Sequence, residues 1–306
     1  MNKSRRHHYV PEFITKHFSN DNGQIYVYDK ILDKIYESNS KNLFVEKDRN
    51  TFINLQGNEG DEIEKIYSSM DSIFGGVLSE ITKSNNITSS NFKILLLLAY
   101  ISKWRVPQYD ESFQNAKKIF SIDELGLGFK DKMGKRINFN LENHFQLEMH
   151  QELKRLFLAI QPFRFKEDFK ILLENSFIIS TQINSFISDC PFNEATITSD
   201  RIFEDFVFPI TKDLTLVFSK RINVKEIQDF LINGDDKKVS KFLIDFSSGR
   251  DVSMLHLAER NVACCDASYL KNVTNVYKQT IEKNNKTAFN LTVFNVLYNF
   301  KEYINK

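Results

Sequence analysis

Three cysteines, five prolines and ten glycines in 306 residues leave little material for a disulfide scaffold, a proline-rich linker or a glycine-rich phosphate loop. Cys190, Cys264 and Cys265 cannot make a disulfide framework, and the adjacent pair is poorly placed to bridge; that usage suits a reducing cytoplasm. The longest apolar run, residues 94–101, is far short of the ~20 residues that span a bilayer, so no membrane partner is expected. Lys3, Arg5 and Arg6 give the N-terminus positive charge, but no apolar stretch follows, and a signal peptide is not expected. An excess of either charge is also missing: 41 basic against 40 acidic residues gives a net charge of +1. Coating nucleic acid with a whole surface requires a large basic excess, because phosphate neutralisation supplies most non-specific affinity. A local basic groove remains compatible with this balance. The sequence has no HExxH, CxxC, P-loop or GxGxxG pattern.

What is present is apolar bulk. Hydrophobic residues make up 42% of the chain, and 28 Phe with 11 Tyr predict an aromatic core. Residues 24–37 read as a hairpin, with Asp29 to Asp33 as its connection, and residues 43–53 as a further extended piece. Ile63, Ile66, Tyr67, Met70, Ile73, Phe74, Val77, Leu78 and Ile81 follow helical spacing, which predicts an amphipathic helix over 60–83. A second helix, apolar nearly all round, is expected to start at a Ser89 or Ser90 cap and to form the buried centre. Helices are expected over 108–120, 142–159 and 165–174, with a loop at 126–134. Short β-type runs follow at 177–180, 185–188, 206–208 and 214–218. Helices are then expected at 224–232, 236–244 and 251–283, and a terminal strand at 289–300. The fold class is therefore α+β: mainly helical, with an N-terminal hairpin and a small antiparallel sheet from the 177–218 region. The whole of 1–306 reads as a single domain, and any subdivision would separate a mainly helical 1–175 from a strand-plus-helix 176–306.

Several polar positions can carry chemistry. Arg5-Arg6-His7-His8-Tyr9 places proton-transfer groups beside cationic ones, and imidazole titrates near neutrality. The plainer reading is a solvated segment docked by Tyr9, Val10 and Phe13. Glu64 can supply a carboxylate, or it can close a capping box with Asp61 at the start of the 60–83 helix. Arg105 ends an apolar helix, so its guanidinium either clamps an internal Asp or Glu or binds an external anion. Trp104, the sole tryptophan, reads as core. Asp189 sits between a strand and Pro191, where it can orient a His, fix Arg105, bind a metal, or close an Asx-turn on its own backbone. His256 and Arg260 are expected to share one face of the 251–283 helix.

His8-Tyr9-Val10-Pro11-Glu12-Phe13, Tyr26-Val27-Tyr28-Asp29, Arg105-Val106-Pro107, Phe186-Ile187-Ser188-Asp189-Cys190-Pro191 and Phe208-Pro209-Ile210 together resemble a bacterial family, the domain of unknown function 4238 family. The resemblance covers residues 6–275, with Cys190 where the family more often has Asn and with 121–140 as an insertion. With the acidic helix start at Glu62 and Glu64 also in the match, it raises His8, Glu64, Arg105 and Asp189 as catalytic candidates, while the N-terminal string offers Arg6, His7 and Tyr9 as substrate-binding ones. Arg105 would bind a phosphate and His8 transfer a proton, while Glu64 and Asp189 orient the His or carry a divalent metal. The resemblance itself supplies no mechanism; where these residues converge, their constellation suits phosphodiester cleavage, and the expectation is a nuclease-like phosphodiesterase, a bacterial toxin or phage-defence effector with nucleic acid as its partner. The alternatives are a non-catalytic anion- or nucleotide-binding module, or a structural ionic network.

Overall fold

The computed structural model describes residues 5–53, 58–119, 129–130, 133, 136–137, 148–196, 203–283 and 292–305. The chain divides into two compact units: Met1–His7 with Val45–Asp168, and His8–Phe44 with Phe169–Lys306. The fold is α+β, helices with small antiparallel sheets.

The first unit is built on helices. Glu62–Ser84 forms where the apolar spacing predicts it and buries Ile63, Tyr67, Phe74, Val77, Leu78 and Ile81. Ile66 and Ile73 stay on its outer side, the latter 59% exposed, so the buried stripe is narrower than the spacing implies. The capping box does not form: Asp61 makes no side-chain cap bond and pairs with Lys65 at 2.6 Å, while Glu64 turns to Asn50. The helix stops at Asn85, whose left-handed backbone (φ 49°) returns its N–H to the Ile81 carbonyl. The buried helix is Ser89–Arg105, capped by Thr88 accepting from Asn91 N–H at 3.1 Å, rather than by Ser89 or Ser90. Both serines lie inside the first turn, so their hydroxyls cannot reach forward as a cap does. Val106 is extended because Pro107 disfavours helix in the residue before it. A 3₁₀ turn, Pro107–Tyr109, then redirects the chain into helix Asp110–Ile119. Helix Glu148–Ile160 packs against Ser89–Arg105. Phe52–Ile53 pairs with Glu59–Gly60, and Phe129–Lys130 with Arg136–Ile137, the latter a short ribbon inside the expected insertion. The remainder of the 126–134 loop lies outside the described residues.

The second unit holds two four-stranded antiparallel sheets. In one, Ile25–Asp29 forms the expected hairpin with Lys34–Ser38, and its other edge receives Asn261–Cys264, which in turn pairs with Ile187–Ser188. In the other, Ser176–Ser180, Leu214–Phe218, Phe206–Pro209 and Asn193–Glu194 lie side by side. The unit also holds helices Glu12–Lys16, Val224–Asn233, Asp236–Leu257 and Ala267–Lys283, most of Lys166–Glu174, and two short terminal ones. Its aromatic core gathers Phe177, Phe230, Phe242, Phe246, Phe294 and Phe300.

Two expectations fail here. The continuous 251–283 helix is interrupted, because Asn261–Cys264 satisfies its backbone in the sheet instead, so His256 and Arg260 do not share a helix. The expected strand at 289–300 is helix Thr292–Tyr298: Val293, Phe294 and Leu297 are buried at helical spacing against Asp236–Leu257. That approach is close at Gly249, where a Cβ would stand 3.1 Å from the Val293 Cα and N.

Arg250 and Asp251 lie side by side with no solvent exposure. The guanidinium forks onto the carboxylate at 2.9 and 3.2 Å and donates to the Thr215 hydroxyl at 3.1 Å. Asp251 accepts from Phe186 N–H at 3.2 Å and from the Tyr269 hydroxyl at 2.6 Å. Burial, with Asp251 beside it, pushes the Tyr269 phenol well above its ordinary value. One ion pair thereby joins Asp236–Leu257 to both sheets and to Ala267–Lys283.

Gly249→Ala is expected to cost about 1–3 kcal/mol, the range for overpacking, read as a lower midpoint of urea unfolding; an unchanged midpoint would mean that the two helices separate without strain. Asp251→Ala strands a buried guanidinium and is expected to cost about 3–5 kcal/mol. Replacing both members, Arg250→Met with Asp251→Leu, should restore most of that loss if the pair is structural.

Candidate functional site

A cavity of about 230 Å³ in the first unit is lined by Glu46, Arg49, Asn50, Phe52, Tyr67, Arg105, Asp110, Gln114, Glu152 and Arg155. Its cations are unusually deep. Arg105 and Arg155 are 3% and 7% exposed. Each guanidinium is fixed by packing as well as charge. Arg105 donates to Asp71 at 2.7 Å and stacks 4.3 Å over the Tyr67 ring. Its Nε is buried and has no hydrogen-bond partner among the described residues. Arg155 pairs with Glu152, donates to the Trp104 carbonyl at 3.1 Å and lies 4.0 Å over the Phe113 ring. Arg49 forks onto Asp110 at 2.7 and 3.2 Å and reaches Glu46 at 2.8 Å. Burial works against the charge on Arg49, but Asp110 and Glu46 outweigh it and hold its pKa above the ordinary value. Burial also raises the Tyr67 phenol, with Arg105 and Arg155 pulling against it.

One wall of this cavity reaches part of the constellation expected from sequence. Asn50 donates its side-chain N–H to Glu64 at 2.7 Å, and its backbone N–H to His7 Nδ1 at 2.8 Å. His7 is fully buried and Glu64 half-buried, so both stand behind Asn50 rather than on the cavity surface. Arg6 is exposed on its strand. Arg105, Glu64 and His7 are therefore linked to one cavity.

His8, Tyr9 and Asp189 belong to the second unit. His8 is half-buried, and Tyr9 docks edge-on to Phe44. Asp189 accepts from three successive backbone N–H groups, Glu259 at 3.0 Å and Arg260 and Asn261 at 2.8 Å. Burial pushes its carboxyl above the usual range, against the pull of those three donors. Nearby, the Lys30 ammonium donates to the Leu255 carbonyl at 2.7 Å, and also to Ala258, closing the end of Asp236–Leu257. Asp29 accepts from Ile31 and Leu32 N–H and from Arg260, which pins the hairpin turn. In this unit the motif carboxylates Asp29 and Asp189 act as joints around the Asn261–Cys264 strand. Trp104 is core, 5% exposed.

Arg49, Tyr67, Asp110, Glu152 and Arg155 were not apparent as site residues in the sequence. Arg155 carries a signal all the same: it shares a helix face with Leu158 and Ala159, both buried, and a cation on an apolar face must find partners. Arg49 and Asp110, on separate elements, carry none.

A larger cavity of about 490 Å³ lies in the second unit, lined by Lys237, Lys238, Lys241, Asn295, Val296, Asn299, Glu302 and Tyr303. Lys237 and Lys241 are exposed there, and Lys238 donates to the Ile304 carbonyl at 2.9 Å, so fixed buried charge is a property of the smaller cavity. Among the described residues no group of three or more His, Cys, Asp or Glu could hold a metal ion. None of their helices is long and apolar enough to cross a membrane.

No curated protein and no solved structure matches the chain. A family model does, over residues 6–238, a span that holds every motif of the resemblance but ends short of residue 275. The chain therefore belongs to the family described as protein of unknown function (DUF4238).

Proposed function

We propose that the first unit binds a phosphoryl group of a nucleic acid or nucleotide in the arginine-lined cavity, and acts there as a nuclease-like phosphodiesterase. The observation that supports this is the buried Arg105 Nε, a charged donor without a partner among the described residues, on a cavity shared with the buried Arg155 and with Arg49, whose side chain is 11% exposed. A guanidinium matches phosphate oxygens with parallel N–H donors, and rigid stacking on Tyr67 lowers the entropy lost on binding. In phosphodiester cleavage, fixed cations stabilise the charge that develops on the phosphoryl oxygens. Glu46 or Glu152, each on the cavity wall, would take a proton from the attacking water as its oxygen bonds to phosphorus, while the ester P–O bond breaks and the leaving oxygen takes a proton from solvent. Glu64 would hold Asn50, and through it the wall that carries His7. His8 and Asp189 enter as a separate proposal, with His8 as the acid–base group. A toxin or defence effector is the setting such an activity would serve.

A second reading is a binding module without turnover. In its favour, every guanidinium of the cavity already has a carboxylate partner within 2.9 Å, an arrangement suited to holding an anion in exchange rather than to driving chemistry.

Purified wild type, Arg105→Gln and His8→Ala, incubated with total RNA, tRNA, and single- and double-stranded DNA in Mg²⁺, Mn²⁺ or EDTA, separate these readings. Cleavage that falls by about 10²–10³-fold in Arg105→Gln, the cost of losing a charge-stabilising donor, is the expected outcome. Loss in folded His8→Ala would assign His8 the proton transfer. No cleavage, together with a thermal shift by nucleotides that Arg105→Gln abolishes, would favour the binding module. Neither cleavage nor shift would sink both.

A further inference from the structure

Asp110 occupies the cavity in a way its neighbours do not. One of its carboxylate oxygens lies 2.7 Å from Arg49 Nη2 and 2.9 Å from Arg155 Nη1, and the other 3.2 Å from Arg49 Nη1. The two cations are deep, with side chains 11% and 8% exposed, whereas the Asp110 side chain is 41% exposed. Both arginines keep anchors that do not involve Asp110. Arg49 has Glu46, and Arg155 has Glu152, the Trp104 carbonyl and the Phe113 ring. Two fixed guanidiniums thus grip a carboxylate that projects toward water from the first residue of helix Asp110–Ile119. A carboxylate forked by guanidinium presents the same planar donor–acceptor geometry as a phosphate forked by guanidinium.

We propose that Asp110 is a built-in stand-in for the ligand's phosphoryl group: it fills the two-arginine cradle in the resting protein and is displaced when a phosphate enters beside Arg105. The proposal rests on the reading of this cavity as a phosphoryl site and adds to it a self-competition. An exposed side chain gives up a surface-facing ion pair at small cost, because water takes over its solvation. The two arginines, with side chains only 11% and 8% exposed, cannot do the same, so they must exchange one anion for another. The carboxylate therefore keeps the cradle assembled without ligand, and sets a threshold that weakly bound anions do not pass. No bond is made or broken in the exchange.

The test is isothermal titration of inorganic phosphate into wild type, Asp110→Asn and Asp110→Glu, with thermal melts confirming that each is folded and Asp110→Ser as the second neutral variant. The proposal expects both neutral variants to bind phosphate on the order of tenfold more tightly than wild type, the effect of removing one competing like charge at close range. Asp110→Glu should stay near wild type. Equal affinity across the set overturns the stand-in role and leaves the phosphoryl site intact. Weaker binding by folded neutral variants also overturns it, making Asp110 a strut that aligns the arginines. Absence of phosphate binding by every protein, wild type included, removes the phosphoryl site itself and the inference with it.

Discussion

The Arg250–Asp251 pair is the constraint around which the second unit is arranged. A guanidinium taken out of water must meet a counter-charge and fill its remaining donors, since an unmatched buried ion costs several kcal/mol on the order of the whole stability of a domain. Arg250 meets the first need with its neighbour and the second with Thr215. Asp251 then recruits Phe186 N–H and the Tyr269 hydroxyl. Those partners come from both sheets and from the helix that follows, so the demands of one ion pair fix where four elements meet. A second set of polar joints works at the end of the same helix: Lys30 takes its last carbonyls, and Asp189 the next three N–H groups of the chain. The aromatic core fills space that these contacts have already defined.

That arrangement explains why some of the fold could be read from sequence and some could not. Where one face of an element is apolar and the other polar, periodicity suffices, as in Glu62–Ser84 and in the Ile25–Ser38 hairpin. Asn261–Cys264 escapes such reading. Four residues between two helices carry no period of their own, and the strand exists because Ile25–Asp29 and Ile187–Ser188 offer edges on either side. The 289–300 segment misleads for a related reason: alternation of large apolar residues suits a strand, but packing against Asp236–Leu257 selects helical spacing. Propensity yields to tertiary context in both cases.

The site was partly legible for the same physical reasons. Arg105 stands out in sequence because it ends a helix with no polar face, so burial of its charge is forced. Arg250 and Arg155 obey the same rule less visibly, each on a buried stripe, Arg250 between Phe246 and Met254 and Arg155 with Leu158 and Ala159. Partners are harder to foresee. The carboxylate matched to Arg105 is Asp71, from the neighbouring helix, rather than the motif residue Asp189, which spends its oxygens on backbone N–H groups. Motif residues identified the family, and in the second unit two of them, Asp29 and Asp189, hold turns.

Buried arginines alone do not make a site, and the two units of this chain illustrate the difference. Arg250 is sealed: neither it nor Asp251 has any contact with solvent, and its fork is closed on both sides by protein. Arg49 and Arg155 are equally dependent on counter-charge, but theirs is held on the cavity wall by Asp110, Glu46 and Glu152, of which Asp110 and Glu46 face water most. In the sealed case the pairing energy can go solely into the fold. In the open case the proposed exchange would replace a water-facing carboxylate by an incoming anion and so keep a counter-charge beside the arginines. That distinction, between a counter-ion the protein cannot release and one it can, is what directs the functional reading to the first unit.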